Sequence, residues 1–203
     1  MFPFYWFAYR GKLVKEAMEF KSRIATMTPE EYVHFYESID TISRNRESDL
    51  NTRCLKAVLD ALPGGQVRIL DAGCGNGFLL RAIRERNPKA VLYGLDLKAP
   101  RKPIPGEFAR GSMDAIPFPD KAFDVVICTH TLEHCLHLER VVQELVRVGR
   151  SELIVVVPKQ RPYYYTVDEH VQFFYREQLT TAIGLPRHEC SALGGDWFYR
   201  GQL

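Results

Sequence analysis

The sequence predicts an α/β fold, in which helices cover both faces of a mostly parallel β-sheet. Short aliphatic runs alternate along the chain with segments of helical periodicity. A glycine-rich loop, DAGCGNG at residues 71–77, joins the first of these runs to a helical segment. Aromatic residues are unevenly spread, because only five of the 24 lie within residues 41–159. The chain therefore has an aliphatic centre, where we place the sheet, and aromatic-rich ends.

The composition is that of an ordinary globular domain, with 46% hydrophobic and 26% charged residues. It excludes a disordered tail, a collagen-like chain and a coiled-coil rod. The net charge of +2 is too balanced to favour a nucleic-acid-binding surface. The five cysteines form no C-x-x-C pair, which argues against a disulfide framework and a structural zinc site. We therefore expect a cytoplasmic protein.

The N-terminal segment has six aromatic residues in its first nine positions, followed by Arg10, Lys12 and Lys15. Such a segment can lie on a membrane surface, but packing on its own domain or on a partner subunit is the interpretation we favour. No apolar run reaches the roughly 20 residues that span a bilayer. The segment also lacks the leading positive charge and the cleavage-type ending of a signal peptide.

Residues 1–62 are predicted to form an N-terminal helical cap that belongs to the same domain as residues 63–203. Thr28 is the predicted N-cap of one helix, with Pro29 at the first helical position. A further helix is predicted over residues 48–61, and Pro-Gly-Gly directly after it ends that helix.

From residue 66 onward the pattern alternates between strands and helices. The predicted helices cover about residues 78–86, 136–148 and 176–183, and the predicted strands lie at 67–70, 90–95, 107–110, 123–128, 153–157, 188–193 and 197–200. Ligands of such sheets bind at the carboxyl ends of the strands near the topological switch point. We therefore expect a site around Asp71, Asp96 and Cys128.

The glycine loop has the spacing G-x-G-x-G, and the third glycine of the dinucleotide fingerprint is replaced by Phe78. No G-K-[ST] follows, which excludes a Walker A loop. Asp96 ends the second strand about 20 residues later, where an acid can accept hydrogen bonds from ribose hydroxyls; a turn cap is its alternative role. Asp114 can accept from an exocyclic amine, with Met113 against the ring. Together these residues predict a nucleoside-binding site that lacks a pyrophosphate-binding loop.

Four segments in order, ILDAGCGNGFLL, YGLDL, GSMDAIPFPDKAFDVVICTHTLEH and VVQELVRV, resemble the class I S-adenosylmethionine-dependent methyltransferases. They are most similar to the branch that includes the ubiquinone and menaquinone biosynthesis methyltransferases. The resemblance covers about residues 66–158 and implies a Rossmann-like fold with a seven-stranded sheet. It makes residues 63–203 the S-adenosylmethionine-binding domain. The cofactor-binding residues that it implies are Asp71, Ala72, Gly73, Cys74, Gly75, Asp96, Leu97, Ser112, Met113, Asp114 and Thr129.

The resemblance also implies what each part of this set does. Gly73, Gly75 and the neighbouring backbone would hold the methionine end, and Asp71 would support the loop or the amino group. Asp96 would bind the ribose, while the residues around Met113 would bind the adenine. Thr129 would lie with His130 beneath the sulfonium.

The sequence departs from the family pattern in three places. Residues 98–106 are proline-rich where the family has a helix, and residues 149–151 shorten the family's Pro-Gly-Gly turn. No second acid follows Asp96. We expect these departures to affect cofactor affinity more than the fold.

His130-Thr131-Leu132-Glu133-His134 matches H-x-x-E-H, the inverted zinc-protease motif. That motif needs both histidines on one helix, whereas His130 directly follows a buried strand, and neither His137 nor Glu139 is marked out as a third ligand. Some quinone-pathway relatives hold a divalent metal at this acid–histidine position. Since His130 stands where a carboxylate would help, we expect no metal.

His130 and His134 are instead the candidate catalytic residues, because a hydroxyl acceptor benefits from a general base of near-neutral pKa. His170 is a more distant candidate, and a hydrogen bond at a helix start is the alternative role of His134. The leading hypothesis is a methyltransferase acting on a small apolar or aromatic molecule, with the aromatic stretches 163–165 and 173–175 in substrate loops. A tRNA or other nucleic-acid methyltransferase and a catalytically weak cofactor-binding scaffold are the alternatives.

Overall fold

Seven strands form one sheet in the computed structural model, which describes residues 3, 6, 14–38, 47–162 and 169–203. The strands are β1 (Arg68–Ala72), β2 (Val91–Asp96), β3 (Glu107–Arg110), β4 (Phe123–Thr129), β5 (Gly149–Pro158), β6 (His188–Leu193) and β7 (Asp196–Gln202). Their order is β3-β2-β1-β4-β5-β7-β6. Strand β7 runs in the opposite direction to the other six strands. The predicted seven-stranded, mostly parallel Rossmann-like fold is confirmed.

Six α-helices with defined bounds accompany the sheet in the described part of the chain. They are α1 (Val14–Arg23), α2 (Pro29–Ser38), α3 (Thr52–Ala61), α4 (Phe78–Arg86), α5 (Leu138–Val148) and α6 (Arg176–Ile183). Helix α3 begins four residues later than the sequence predicts, because the Asn51 side chain caps it by accepting hydrogen bonds from the Arg53 and Cys54 amides.

Side chains alternate between the two faces of the sheet, as the pleat of a strand requires. On the neighbouring strands β1 and β4, Leu70 and Val126 point to one face, while Ile69 and Ile127 point to the other. All four are fully buried. Helices α5 and α6 pack on the first face, and α3 and α4 pack on the second. Because both faces of the sheet are buried, its central strands are continuous aliphatic runs in the sequence.

Within the predicted cap of residues 1–62, the helices that the structure describes form two parts with different packing. Helices α1 and α2 pack together, with the Phe20 and Phe35 rings stacked at a centroid distance of 4.6 Å. The Thr28 hydroxyl and the Glu31 carboxylate cap α2 reciprocally, as predicted for its start. Helix α3 instead buries Cys54 in the core of the sheet.

The connection between β2 and β3 contains no helix over the described residues 97–106, in agreement with its proline-rich sequence. Ile104 from this connection packs over Gly77 and Gly94, where it takes the space that side chains would otherwise fill. Strand β5 starts at Gly149, directly after α5, so that the shortened turn is absorbed into the strand.

Several sequence-based predictions fall on residues that the structure does not describe. They are the aromatic N-terminal segment apart from Pro3 and Trp6, and the substrate-loop aromatics 163–165. Contact of the N-terminal segment with a membrane or a subunit therefore stays a prediction. Among the described helices, none combines the length and the apolar character needed to cross a bilayer.

Candidate cofactor and acceptor site

The glycine loop after β1 is fixed to the end of β2 by its own backbone. The amides of Gly73 and Cys74 both donate to the Leu95 carbonyl oxygen, at 2.8 and 3.0 Å. Gly73 has a φ of +83°, and a Cβ at this position would overlap the Thr131 side chain. A Cβ on Gly75 would meet nothing within 4 Å. The loop therefore requires glycine at 73 for packing and leaves open space at 75, where a ligand can approach the backbone.

Asp96 binds the loop and keeps room for a ligand. Its carboxylate accepts hydrogen bonds from the amides of Gly75 at 2.8 Å and Lys98 at 3.0 Å. Burial raises the pKa of Asp96, and these two amides offset part of the increase. A carboxylate offers about four acceptor positions, so ribose hydroxyls can bind as well. The two alternatives that the sequence left open, ribose acid and turn cap, are compatible on one side chain.

Asp71 contributes a buried acceptor to the same site. Its exposed fraction is 2%, and among the described residues its Oδ1 atom has no hydrogen-bond partner. Burial raises the pKa of Asp71 to about 7, and the nearby Asp96 carboxylate adds to the increase. A buried polar atom without a partner costs stability. A ligand with a donor group would satisfy this oxygen.

The loop after β3 is held by a residue that the sequence analysis did not find. Arg147 of α5 donates to the carbonyl oxygens of Ile116 and Phe118, at 2.9 and 2.8 Å. It also pairs with Glu144, whose carboxylate accepts from the Ile116 amide. These bonds fix the segment directly after the predicted adenine-binding residues. No sequence signal links Arg147 to this loop, since the two carbonyl groups that it binds lie 31 and 29 residues away.

One cavity of about 510 Å³ brings the predicted residues together. Its volume is within the range of about 300–1,000 Å³ typical of small-molecule sites. Ala72 alone of the predicted cofactor-binding residues does not line it and is fully buried behind it. The predicted cofactor-binding residues that line the cavity are Asp71, Gly73, Cys74, Gly75, Asp96, Leu97, Ser112, Met113, Asp114 and Thr129.

The N-terminal cap supplies another wall of this cavity, through Ile24, Met27, Tyr32 and Val33. The Tyr32 hydroxyl donates to the His134 carbonyl oxygen and so ties α2 to the residues after β4. The sequence predicts a helical cap but does not mark these residues as part of the site, because helical periodicity does not show against which surface a helix packs.

His130 follows β4 with a φ of +49°, a strained value for a residue other than glycine. Its amide donates to the Val156 carbonyl oxygen. Its ring lies between two carboxylates, with Nε2 3.3 Å from Asp196 Oδ2 and Nδ1 3.4 Å from Glu133 Oε1. Burial alone would lower the pKa of His130, but the two carboxylates outweigh it and raise the pKa to about 10. The two carboxylates therefore favour the imidazolium form of His130, which would not serve as a general base.

Glu133 and His134 lie on a short 3₁₀ helix, Leu132–His134. His130 precedes this helix, so the H-x-x-E-H motif does not have the single-helix geometry of a zinc protease. The amides of Val171 and Gln172 both donate to the Glu133 carbonyl oxygen. These bonds bring His170 beside Glu133 and His134, although the sequence had made it a distant candidate. A separation of more than 30 residues left no local signal for this contact.

Residues 70–157 match the protein family described as Methyltransferase domain. The match spans the glycine loop, Asp96, the loop after β3 and the residues after β4. By family and by fold, this segment is a class I methyltransferase domain. The family's cofactor is S-adenosylmethionine, as the resemblance implied.

Curated relatives of the methyltransferase domain share about a quarter of their residues with it. The malonyl-[acyl-carrier protein] O-methyltransferase of Enterobacter lignolyticus is 28% identical over 160 residues, which are 71% of this chain and 64% of that protein. The demethylmenaquinone methyltransferase of Thermotoga maritima is 26% identical over 159 residues, 73% of this chain and 65% of that protein. The chain thus spans slightly less than two thirds of the length of these relatives.

A solved structure supports the fold of the methyltransferase domain. The S-adenosylmethionine-dependent methyltransferase of Aquifex aeolicus superposes with a TM-score of 0.58 at 18% identity, over 87% of this chain and 98% of that one. The site geometry also fits S-adenosylmethionine. The open backbone at Gly75 leaves room for the ligand. The Asp71 oxygen, which has no partner among the described residues, can accept a hydrogen bond from an amine. The buried Asp96 carboxylate can accept from hydroxyl groups.

Proposed function

We propose that the chain transfers the methyl group of S-adenosylmethionine to an oxygen or carbon atom of a small apolar or aromatic molecule. The observation that carries this proposal is the division of the cavity into two walls. The glycine loop and the acids Asp71 and Asp96 form a polar wall suited to the cofactor. Ile24, Met27 and Val33 from the cap form an apolar wall beside it, suited to an apolar acceptor.

Methyl transfer from a sulfonium is an in-line displacement that releases a neutral thioether. Orientation of the two reactants and exclusion of water can therefore supply most of the rate. The hydrogen bond from Tyr32 to the His134 carbonyl holds the cap against the residues that follow β4. The acceptor would then lie between the cap and the end of β4 at Thr129. His130 would contribute a fixed positive charge at the wall of the cavity and accept no proton.

The relatives support a small-molecule acceptor. One is named for the O-methylation of malonyl-[acyl-carrier protein], in which a carrier protein bears the malonyl group, and the other for the methylation of demethylmenaquinone. The first names an oxygen acceptor, and the second names a quinone. Both an oxygen and a ring carbon are therefore reasonable acceptor atoms for this chain. The near-neutral net charge supports the small-molecule acceptor over a nucleic acid.

The test is methyl transfer from S-adenosylmethionine labelled in its methyl group. The purified chain is incubated with a quinol, a malonyl thioester or bulk tRNA, and the label in each acceptor is counted. We expect label in at least one of the small molecules and none in tRNA, and we expect Asp96→Ala to lower the signal at subsaturating cofactor. Label in tRNA alone would refute the small-molecule acceptor. Failure to bind S-adenosylmethionine at millimolar concentration in a calorimetric titration would refute the transfer itself.

A further inference from the structure

Two lysine side chains lie over aromatic rings near the carboxyl edge of the sheet. Lys159 Nζ lies 4.9 Å from the centre of the Trp197 ring, and Lys21 Nζ lies 4.6 Å from the centre of the Phe173 ring. A cation at such a distance from a ring face is attracted to it. Lys159 directly follows β5, which runs parallel to β4. The Lys159 pair therefore lies at the edge of the sheet where Thr129, at the end of β4, lines the cavity.

Residues 173–175 join the two pairs into one surface. Trp197 Nε1 donates to the Phe174 carbonyl oxygen at 3.0 Å. The Phe174 side chain is buried in the core, whereas the next residue, Tyr175, has an extended backbone and is exposed. Successive side chains of an extended segment point to opposite sides, so Tyr175 points away from the core that Phe174 fills. We use the name aromatic–lysine surface for the set Lys21, Lys159, Phe173, Tyr175 and Trp197.

The aromatic–lysine surface combines an exposed ring with an excess of positive charge. In the described part of the chain, Tyr175 and Trp6 are the large hydrophobic side chains that are exposed, at 50% and 55%. The neighbouring basic residues Arg161 and Arg176 are exposed as well. The acidic residues in the described stretches 159–162 and 169–177 are Glu169 and Glu177. Counting Lys21 and Lys159, four basic residues therefore outnumber two acidic ones.

This combination of side chains fits the boundary between an anionic bilayer and water. Tyrosine and tryptophan favour that boundary because each has an apolar ring and a polar group. A lysine can pack its aliphatic stem along a ring while its ammonium group reaches the phosphates of the lipid head groups. An acidic protein surface would match the charge, but it offers less to an exposed ring than the acyl boundary of a bilayer does.

The aromatic–lysine surface is continuous along the chain with the apolar wall of the cavity. Lys21 lies in the last turn of α1, and Ile24 and Met27, which follow directly, line the cavity. The contact of Lys21 with the Phe173 ring places the end of α1 beside residues 173–175. A bilayer bound to this surface would therefore lie close to the wall that we assign to the acceptor.

We propose that the aromatic–lysine surface binds an anionic lipid bilayer and that the chain takes its apolar acceptor from that bilayer. The first half of this proposal is independent of the proposed function, and the second half rests on it. A contact through a few rings and charges is peripheral and reversible, and salt weakens it. Each basic residue near an anionic bilayer contributes about a fivefold gain in binding.

The experiment is sedimentation of the full chain with vesicles of phosphatidylcholine alone or mixed equally with phosphatidylglycerol. We expect binding to the mixed vesicles, weaker binding to phosphatidylcholine, and release at high salt. Lys159→Glu should weaken binding to the mixed vesicles by at least about fivefold. Tyr175→Ser should weaken it, and Tyr175→Trp should keep it. The matched control is Lys89→Glu, because Lys89 is exposed at the opposite edge of the sheet, just before β2, and this variant should bind like the wild type.

Three results would overturn the bilayer contact. The first is no binding to the mixed vesicles, and the second is equal binding by Lys159→Glu and Lys89→Glu. The third is binding of the chain to immobilised polyglutamate with none to vesicles, which would assign the surface to an acidic protein. Equal Tm values for the two lysine variants would show that both are folded.

Methyl transfer separates this proposal from the proposed function. Lys159→Glu should bind S-adenosylmethionine normally and should methylate a water-soluble acceptor at the wild-type rate, but it should be slower with an acceptor dissolved in mixed vesicles. Equal rates of the wild type and Lys159→Glu on the vesicle-dissolved acceptor would overturn the delivery of the acceptor from the bilayer. Failure of the chain to bind S-adenosylmethionine would refute the proposed function, and the binding to vesicles would persist.

Discussion

The Gly75 amide donates a hydrogen bond of 2.8 Å to Asp96 Oδ2, which joins the glycine loop after β1 to the end of β2. One carboxylate therefore shapes the backbone that would hold the methionine end, and its remaining acceptor positions would bind the ribose. Asp96 is also bound by the Lys98 amide, so that its orientation is fixed without a ligand. Pre-ordered acceptors of this kind lower the entropy cost of binding.

Replacing Asp96 should therefore weaken cofactor binding in two ways. Asp96→Ala removes the ribose acceptor and releases the Gly75 amide, and we expect affinity for S-adenosylmethionine to fall at least tenfold, about 1.4 kcal/mol. Isothermal titration calorimetry measures the change. Asp60→Ala, on the surface of α3, is the control for loss of one acidic residue and should bind normally. An unchanged affinity in Asp96→Ala would show that Asp96 does not bind the ribose.

The glycine at 73 can be tested against a second glycine of the same conformation. Gly73 and Gly65 have φ values of +83° and +80°, but only a Cβ on Gly73 would overlap another side chain, that of Thr131. Gly65→Ala should thus cost only the backbone strain, about 1–2 kcal/mol. Gly73→Ala should cost more and should also weaken cofactor binding. Thermal unfolding compares the two variants, and equal losses of stability would contradict the packing role of Gly73.

The sequence predicted the parts of the site that depend on local signals. The glycine loop, Asp96 and the strand ends follow from spacing along one strand–helix unit, and the structure places them in one cavity. It did not predict Arg147, Tyr32 or the contact of His170 with Glu133. Each of these depends on which distant segments meet in space, and a periodic pattern carries no such information. The contact of His130 with Asp196 was missed for the same reason, because Asp196 lies 66 residues further along the chain.

Stability should depend on pH through Asp71. Burial raises the pKa of this carboxyl to about 7, compared with about 3.9 in an unfolded chain. Between these values the folded state binds more protons than the unfolded state, so the free energy of unfolding falls as pH rises from about 4 to about 7 and then levels off. Asp71→Asn removes this titration and leaves the other groups in place.

Urea unfolding at about pH 5 and about pH 8 measures the effect of Asp71. The stability of the wild type minus that of Asp71→Asn should be smaller at the higher pH. Taking the difference cancels the titration of groups that both proteins share. A difference that stays constant, or that grows with pH, would show that Asp71 is ionised throughout this range.

Asn51 combines two structural contributions that substitutions can separate. Its side-chain oxygen caps α3, and its Nδ2 atom donates to Asp196 Oδ2 at 2.6 Å and to the Leu193 carbonyl oxygen at 3.1 Å. Asn51→Ala should lose the cap, about 1 kcal/mol. It should also leave the buried Asp196 carboxylate short of a donor, which costs a further 1–3 kcal/mol or so.

The control for this change is Asn51→Ser, which keeps a capping oxygen and is too short to donate to Asp196. It should be about 1 kcal/mol more stable than Asn51→Ala and still less stable than the wild type. Equal stability of the serine and alanine variants would mean that the cap contributes nothing. Wild-type stability of the serine variant would mean that the bond to Asp196 contributes nothing. The two measurements therefore separate the stability that the cap of α3 contributes from the stability that the bond to Asp196 contributes. Asp196 is the residue whose carboxylate lies beside His130.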